Sequence, residues 1–177
     1  MKIGFKNIVI LLLLIVILFL SVFVGLKFVY PHKYKDIVSN YSNKYDVDAS
    51  LIHAVIWVES KYDKDAKSRV GALGLMQLMP STAEWLSSQI DIKDKAILDP
   101  DYNIHLGVYY LSTLIKRFES TDLGIAAYNA GPSNVSAWLH NPKYSKDNNL
   151  TYIPYKETRE YLNKVNSTKK IYQRLYW

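Results

Sequence analysis

Hydrophobic and polar positions divide the chain into two unlike parts. From Ile8 to Leu26 the residues read IVILLLLIVILFLSVFVGL, without a charge. Beyond Lys35, apolar residues recur mostly at spacings of three and four, and the alternation of a half-buried sheet is absent. The first stretch has no polar face, so it suits hydrocarbon better than the flank of a globular core. As a helix it spans about 30 Å, the thickness of a bilayer interior. The competing assignment is a cleaved signal peptide, whose apolar core is shorter, about 7–15 residues, and ends in small residues at an A-x-A-like site. Ser21-Val22-Phe23-Val24-Gly25-Leu26 has no such site. The pattern therefore predicts an N-terminal tail over residues 1–7 (a cytoplasmic tail once the domain is placed outside the cytoplasm), an uncleaved transmembrane signal anchor over 8–26, a juxtamembrane spacer over 27–34 broken by Pro31, and one folded domain over 35–177.

Within that domain the spacing predicts helices. Residues 36–45 put Ile37, Val38, Tyr41 and Tyr45 on one face. Asp48 is placed to cap a helix over 49–60. After Pro80, Ser81 and Glu84 fit a capping box that opens a helix through Trp85 and Leu86. Asp99 or Asp101 starts a long helix with Ile104, Tyr110, Leu111, Leu114 and Phe118 on its apolar stripe. Gly131-Pro132 splits two short helices, 123–128 and 133–139, and a final helix covers 155–176. Residues 61–79 carry Gly71 and Gly74 among polar residues and read as loop or a small irregular strand pair.

Composition narrows the chemistry. The absence of cysteine excludes disulfides, thiolate metal sites and a Cys nucleophile. His32, His53, His105 and His140 are scattered, with no metal-binding spacing, so neither a metal nor a cofactor is expected. There is no phosphate-cradling glycine loop. The 22 basic and 16 acidic residues leave a net charge of +6, which suits an anionic partner such as a cell wall or membrane surface. The basic residues are spread rather than clustered, which speaks against nucleic acid.

One acid stands out. Ile52, Val55, Ile56 and Glu59 fall at i, i+3, i+4 and i+7, so a carboxyl continues an apolar stripe. It also falls in the last helical turn, where the helix dipole is negative. Both effects disfavour the carboxylate and raise its pKa toward what a general acid needs near neutral pH. The same position is equally where a stripe reaches solvent at a helix end.

The motifs that follow weigh on that choice. They are Glu59-Ser60, then Gly71-Ala72-x-Gly74-Leu75-Met76-Gln77-Leu78-Met79-Pro80-x-Thr82-Ala83, Leu98-Asp99-Pro100 with Asn103-Ile104 and Gly107, Ala126-Ala127-Tyr128-Asn129-Ala130-Gly131-Pro132, Ile153-Pro154, and Glu157-Thr158-Arg159-x-Tyr161. In this order they resemble the soluble lytic transglycosylase catalytic domain, of goose-lysozyme-like fold, over roughly residues 40–177. Tyr155 and Leu162 depart from the commoner Phe and Val, and neither is a reacting group.

The resemblance implies a mainly α, lysozyme-like domain of the α+β superfamily, with a cleft between two helical lobes and Glu59 at its floor. It implies that Glu59 is the sole acid/base, cleaving the bond between N-acetylmuramic acid and N-acetylglucosamine in peptidoglycan with formation of a 1,6-anhydro end. Ser68, Gln77, Met79, Tyr128, Asn129, Glu157 and Tyr161 are the substrate-binding residues it implies. Each has a plainer alternative. Ser68 is a loop hydroxyl and Gln77 a loop cap. Met79, Tyr128 and Tyr161 are side chains of kinds that fill cores. Asn129 is a turn residue, and Glu157 an acid favoured at a helix N-terminus. A muramidase using water, or a murein-binding scaffold without activity, remains open on the same motifs. The flanking lysines do not orient the anchor by counting. The wall chemistry implied places the domain outside the cytoplasm, on a single-pass anchor, where an unidentified wall-spanning machinery is a further possible partner.

Overall fold

The computed structural model describes residues 5–92, 96–147 and 149–177. The first four residues of the expected cytoplasmic tail lie outside them. The chain forms two compact units, residues 1–33 and 34–177. The first is one helix, α1 (Phe5–Val29), longer at both ends than the expected span. Over Lys6–Val29 it is long and apolar enough to cross a membrane. The Ser21 hydroxyl donates to the Leu18 carbonyl at 2.8 Å, which satisfies it within the helix.

The second unit is mostly helical: α2 (Lys35–Tyr45), α3 (Ala49–Ser60), α4 (Pro80–Gln89), α5 (Pro100–Phe118), α6 (Thr121–Ala130), α7 (Pro132–Leu139) and α8 (Lys156–Tyr176). Asp48 caps α3 by accepting from the Ser50 amide at 2.8 Å, and Asp99 caps α5 by accepting from the Tyr102 amide at 2.9 Å. Three features differ from the sequence reading. The capping box of Ser81 and Glu84 does not form: α4 starts earlier, with Met79 as its N-cap, Pro80 inside the first turn, and no side-chain cap. Proline, with φ preset and no amide hydrogen to satisfy, starts this helix unaided. Next, α6 begins at Thr121 rather than 123, because Ser120 accepts from the Leu123 amide. Finally, a two-stranded antiparallel hairpin, β1 (Ser145–Lys146) with β2 (Asn149–Leu150), pairs Ser145 with Leu150 and Lys146 with Asn149.

Helix α3 is the axis of this unit. Every residue from Ser50 to Ile56 is buried, not only the stripe of Ile52, Val55 and Ile56. Helix α8 covers one side with Thr158, Tyr161, Val165, Thr168 and Tyr172, spaced alternately by three and four. Its far end is pinned to α3 by aromatic packing. His53 Nδ1 lies 2.5 Å from the Tyr62 hydroxyl, and the imidazole stacks on Tyr172 with centroids 5.4 Å apart. At the same end of the contact, Lys169 reaches the Asp48 carboxylate at 3.0 Å. Helix α2 packs on α3 and α5, and α6 on α5 and α8.

Residues 61–79 are an irregular loop held by isolated antiparallel bridges, Lys67 to Leu73 and Leu73 to Leu78. Its anchor is Asn103 on α5, fully buried. Asn103 Oδ1 accepts from the Met76 amide at 2.8 Å, while Nδ2 donates to the carbonyls of Leu73 and Ile97. Gly74, at φ +77°, sits so close that a Cβ there would lie 2.4 Å from Asn103 Nδ2. Both its conformation and its neighbour demand glycine. The Ser60 hydroxyl donates to the Leu75 carbonyl at 2.9 Å, so the end of α3 is tied to this loop directly.

Candidate active site

Glu59 emerges in the last turn of α3, which ends at Lys61 in the left-handed conformation. Three things meet its carboxyl. The first is burial, since the stripe beneath it is closed core. The second is Tyr161 on α8, whose hydroxyl donates to Glu59 Oε1 at 2.6 Å. The third is the charge of Glu157, one turn earlier on α8. Burial dominates and disfavours the carboxylate; the Tyr161 hydrogen bond opposes it; Glu157 adds to it. The result is a pKa raised from 4.5 to about 7. Among the described residues no other donor reaches this carboxyl. Tyr161 occupies Oε1, which leaves Oε2 as the oxygen available to a ligand.

The carboxyl opens into a cleft of about 270 Å³ lined by Val58, Glu59, Asn129, Glu157, Glu160, Tyr161 and Lys164. Its residues come from three helices, α3, the end of α6, and the first three turns of α8. Asn129 is held by Thr158, whose hydroxyl donates to Asn129 Oδ1 at 2.7 Å. That bond turns the amide nitrogen away from Thr158. Tyr128, beside Asn129, donates its hydroxyl to the Met76 carbonyl at 2.8 Å, linking α6 to the 61–79 loop. The Tyr128 and Tyr161 hydroxyls are pushed well above the ordinary phenol range, first by burial and then by the Glu59 charge. Both phenols therefore stay protonated as donors. The chain leading into α8 is fixed by Arg159, which donates to the Ile153 and Pro154 carbonyls at 2.6 and 3.1 Å.

Of the residues singled out from sequence, the structure brings Glu59, Asn129, Glu157 and Tyr161 to one cleft, with Tyr128 close enough to feel the Glu59 charge. Ser68, Gln77 and Met79 do not line it. Ser68 Oγ accepts from the Ala72 amide at 2.9 Å. Gln77, itself at φ +48°, donates from Nε2 to the Gly74 and Ala66 carbonyls at 2.8 and 3.2 Å. Met79 is exposed at the start of α4. Sequence reading missed Thr158, Glu160 and Lys164. Helical spacing held the signal for the last two: Glu157, Glu160, Tyr161 and Lys164 fall at i, i+3, i+4 and i+7. Among the described residues no group of three or more potential ligands is arranged to hold a metal.

Chemically, this is a site with one protonatable carboxyl poised near neutrality, aimed by a phenol into a polar cleft. The family description "Transglycosylase SLT domain" matches residues 36–151. Over 143 residues the chain is 36% identical to the soluble lytic murein transglycosylase of Salmonella typhimurium, covering 77% of this chain and 22% of that protein. Over 178 residues it is 33% identical to the membrane-bound lytic murein transglycosylase C of Edwardsiella ictaluri, covering 81% of this chain and 47% of the relative. The chain thus spans between about a fifth and a half of the length of these curated relatives. Among solved structures, an inactive mutant of the lytic transglycosylase Slt from Pseudomonas aeruginosa superposes with a TM-score of 0.74 at 34% identity, over 85% of this chain and 25% of that one. The 70 kDa soluble lytic transglycosylase of Escherichia coli superposes with 0.75 at 32% identity, over 84% and 25%. The expected fold class, mainly α and lysozyme-like behind one N-terminal apolar helix, is the one observed.

Proposed function

The chain belongs to the transglycosylase SLT domain family, and from that premise we propose that it is a membrane-anchored peptidoglycan lytic transglycosylase in which Glu59 alone serves as acid and base. The observation that carries this reading is the Glu59 carboxyl itself: half-buried against closed core, raised to about 7, and held through one oxygen by Tyr161 at 2.6 Å. A group with that pKa is populated in both protonation states near neutrality, which an acid that must later act as a base requires.

In the first step the Glu59 proton passes to the glycosidic oxygen, the bond from that oxygen to the muramyl C1 breaks, and positive charge develops at C1. In the second, the muramyl C6 hydroxyl closes on C1 and gives its proton to the Glu59 carboxylate. The acid is regenerated, no water is consumed, and the product is a 1,6-anhydro sugar. Ordinary glycosidases add a second carboxylate as nucleophile or as base for water. A hydroxyl already on the ring needs neither, because its attack is intramolecular. Tyr161 aims the carboxyl, and the Glu157 charge keeps the proton on it until substrate arrives. Asn129, oriented by Thr158, offers an amide to the sugar. Tyr128 closes the same wall. Ser68 and Gln77 act by shaping the loop, and Met79 offers an apolar edge to the glycan. Helix α1 anchors the domain to the membrane, with residues beyond 30 on the wall side, where the substrate is. That placement also suits opening of the wall beside an envelope-spanning machinery.

The test is digestion of peptidoglycan by the 177-residue chain in detergent micelles, with and without Glu59→Gln, and mass spectrometry of the released muropeptides. Anhydro ends from the wild type and none from the variant are expected. Ends heavier by one water would make the protein a muramidase. No release by folded wild-type protein would refute the reading.

A further inference from the structure

The cleft is charged unevenly. Along α8 its lining runs from Glu157 in the first turn through Glu160 and Tyr161 in the second to Lys164. Glu160 has a cation of its own, Lys156 at 3.6 Å. Lys164 has no carboxylate within ion-pair distance among the described residues, nor has Lys61, which follows Glu59 and Ser60 directly at the end of α3. The Lys61 ammonium lies 2.9 Å over the centre of the Trp57 ring, which compensates its charge in part. Burial first, and then the Lys164 charge, lower the Lys61 amine to about 8. Lys164 thus lines the Glu59 cleft, Lys61 follows two residues after Glu59 and lies near enough to feel the Lys164 charge, and neither has a carboxylate within ion-pair distance among the described residues.

The glycan reading above does not by itself account for them. The alternating sugars of a glycan strand are uncharged. Negative charge on that polymer sits on the muramyl substituent: the carboxylates of the stem peptide or, where the peptide is absent, the carboxylate of the lactyl ether. We propose that Lys61 and Lys164 form a cationic subsite that takes a carboxylate on the muramyl substituent and so selects which glycan units are seated over Glu59. This rests on the peptidoglycan reading of the same cleft. Lysine suits the task as a mobile point charge able to follow a flexible substituent. The acids at the other end of the cleft would repel the same carboxylate and so set the direction in which the strand lies.

The test measures binding to the 177-residue chain carrying Glu59→Gln, in micelles, so that substrate is held and not consumed. Three tetrasaccharide probes of alternating N-acetylglucosamine and N-acetylmuramic acid are compared by calorimetry: one with stem peptides bearing free carboxylates, one with those carboxylates amidated, and one without peptide, its lactyl carboxylate free. The free-carboxylate probe is expected to bind roughly three- to tenfold more tightly than the amidated one. Adding Lys164→Gln or Lys61→Gln should erase that difference, Lys164→Arg should retain it, and Lys170→Gln, an exposed lysine further along α8, should not touch it. If the peptide-free probe matches the free-carboxylate probe in a Lys164-dependent way, the lactyl carboxylate is the anion and the subsite stands. Equal binding of all three probes, or a difference that survives Lys164→Gln, overturns the subsite while leaving the catalytic reading intact. Binding of none of them sinks both.

Discussion

Replacing Glu59 by Gln should make the protein more stable above neutral pH and leave it unchanged in acid. In the native state the carboxyl titrates at about 7, against 4.5 for a free side chain. Between those values the folded protein binds a proton that the unfolded chain has released, so stability falls as pH rises through this window. Below pH 4.5 both states are protonated and no penalty exists. Above about 7 both are ionised and the full penalty is present. At about 1.4 kcal/mol per pH unit, the interval corresponds to about 3 kcal/mol. Glutamine keeps an oxygen for the Tyr161 hydroxyl and never ionises, so it escapes the penalty. Other titrating groups are common to both proteins and cancel in the difference. Thermal unfolding followed by circular dichroism, with both chains in the same micelles, should show the variant melting roughly 6–12 °C higher at pH 8. At pH 4 the two should coincide. An equal difference at both pH values would show that it comes from packing, and a wild type more stable at pH 8 would show that the carboxylate is stabilised by its surroundings; either result refutes the account of Glu59.

Tyr161→Phe removes the one hydrogen bond that favours the Glu59 carboxylate, so the alkaline limb of the kcat/KM profile should move to higher pH while the rate falls by about tenfold from loss of aim. Glu157→Gln removes a charge that raises the Glu59 pKa and should move the same limb toward acid; an unmoved limb would exclude Glu157 from the electrostatics of the acid. Gly74→Ala forces a Cβ to 2.4 Å from Asn103 Nδ2 at φ +77°, and chemical denaturation should register a loss of about 3 kcal/mol or more. Thr158→Val leaves Asn129 Oδ1 without its buried donor; a cost of about 1–2 kcal/mol in unfolding, with KM raised more than kcat is lowered, is expected.

The parts of this structure that sequence made legible are those written in short range. Spacings of three and four, with Asp48 and Asp99 ahead of them, locate α3 and α5 because capping and amphipathic burial are both local. The same logic places an acid at the end of a buried stripe, and Glu59 sits there. Where two local signals overlapped, the reading chose the wrong one: Ser81 and Glu84 spell a capping box, but Pro80 had already begun the turn. What local spacing does not encode is which distant groups meet. The Tyr161 hydroxyl comes to Glu59 across 102 residues of chain, and Asn103 reaches back 27 residues to the Met76 amide. Both depend on helices packing first.

That dependence also separates the two kinds of residue the motifs mix. Gly74, Gln77, Ser68 and Asn103 spend their polar groups, or their lack of a side chain, on one loop. The loop in turn receives the Ser60 hydroxyl from the helix that carries Glu59, and the Tyr128 hydroxyl from the helix that carries Asn129. A change in the loop would therefore displace both walls of the cleft without touching a reacting atom. The cleft residues behave differently. Glu157, Glu160 and Lys164 lie along the flank of α8 beside the stripe that Tyr161, Val165, Thr168 and Tyr172 secure on α3. Helix α8 can thus vary the charge it shows to substrate while its packing, and with it the Tyr161 bond to Glu59, stays as it is. On such a scaffold selectivity is free to change at Glu160 and Lys164 without moving the acid, whereas a change at Glu157 alters the Glu59 carboxyl as well.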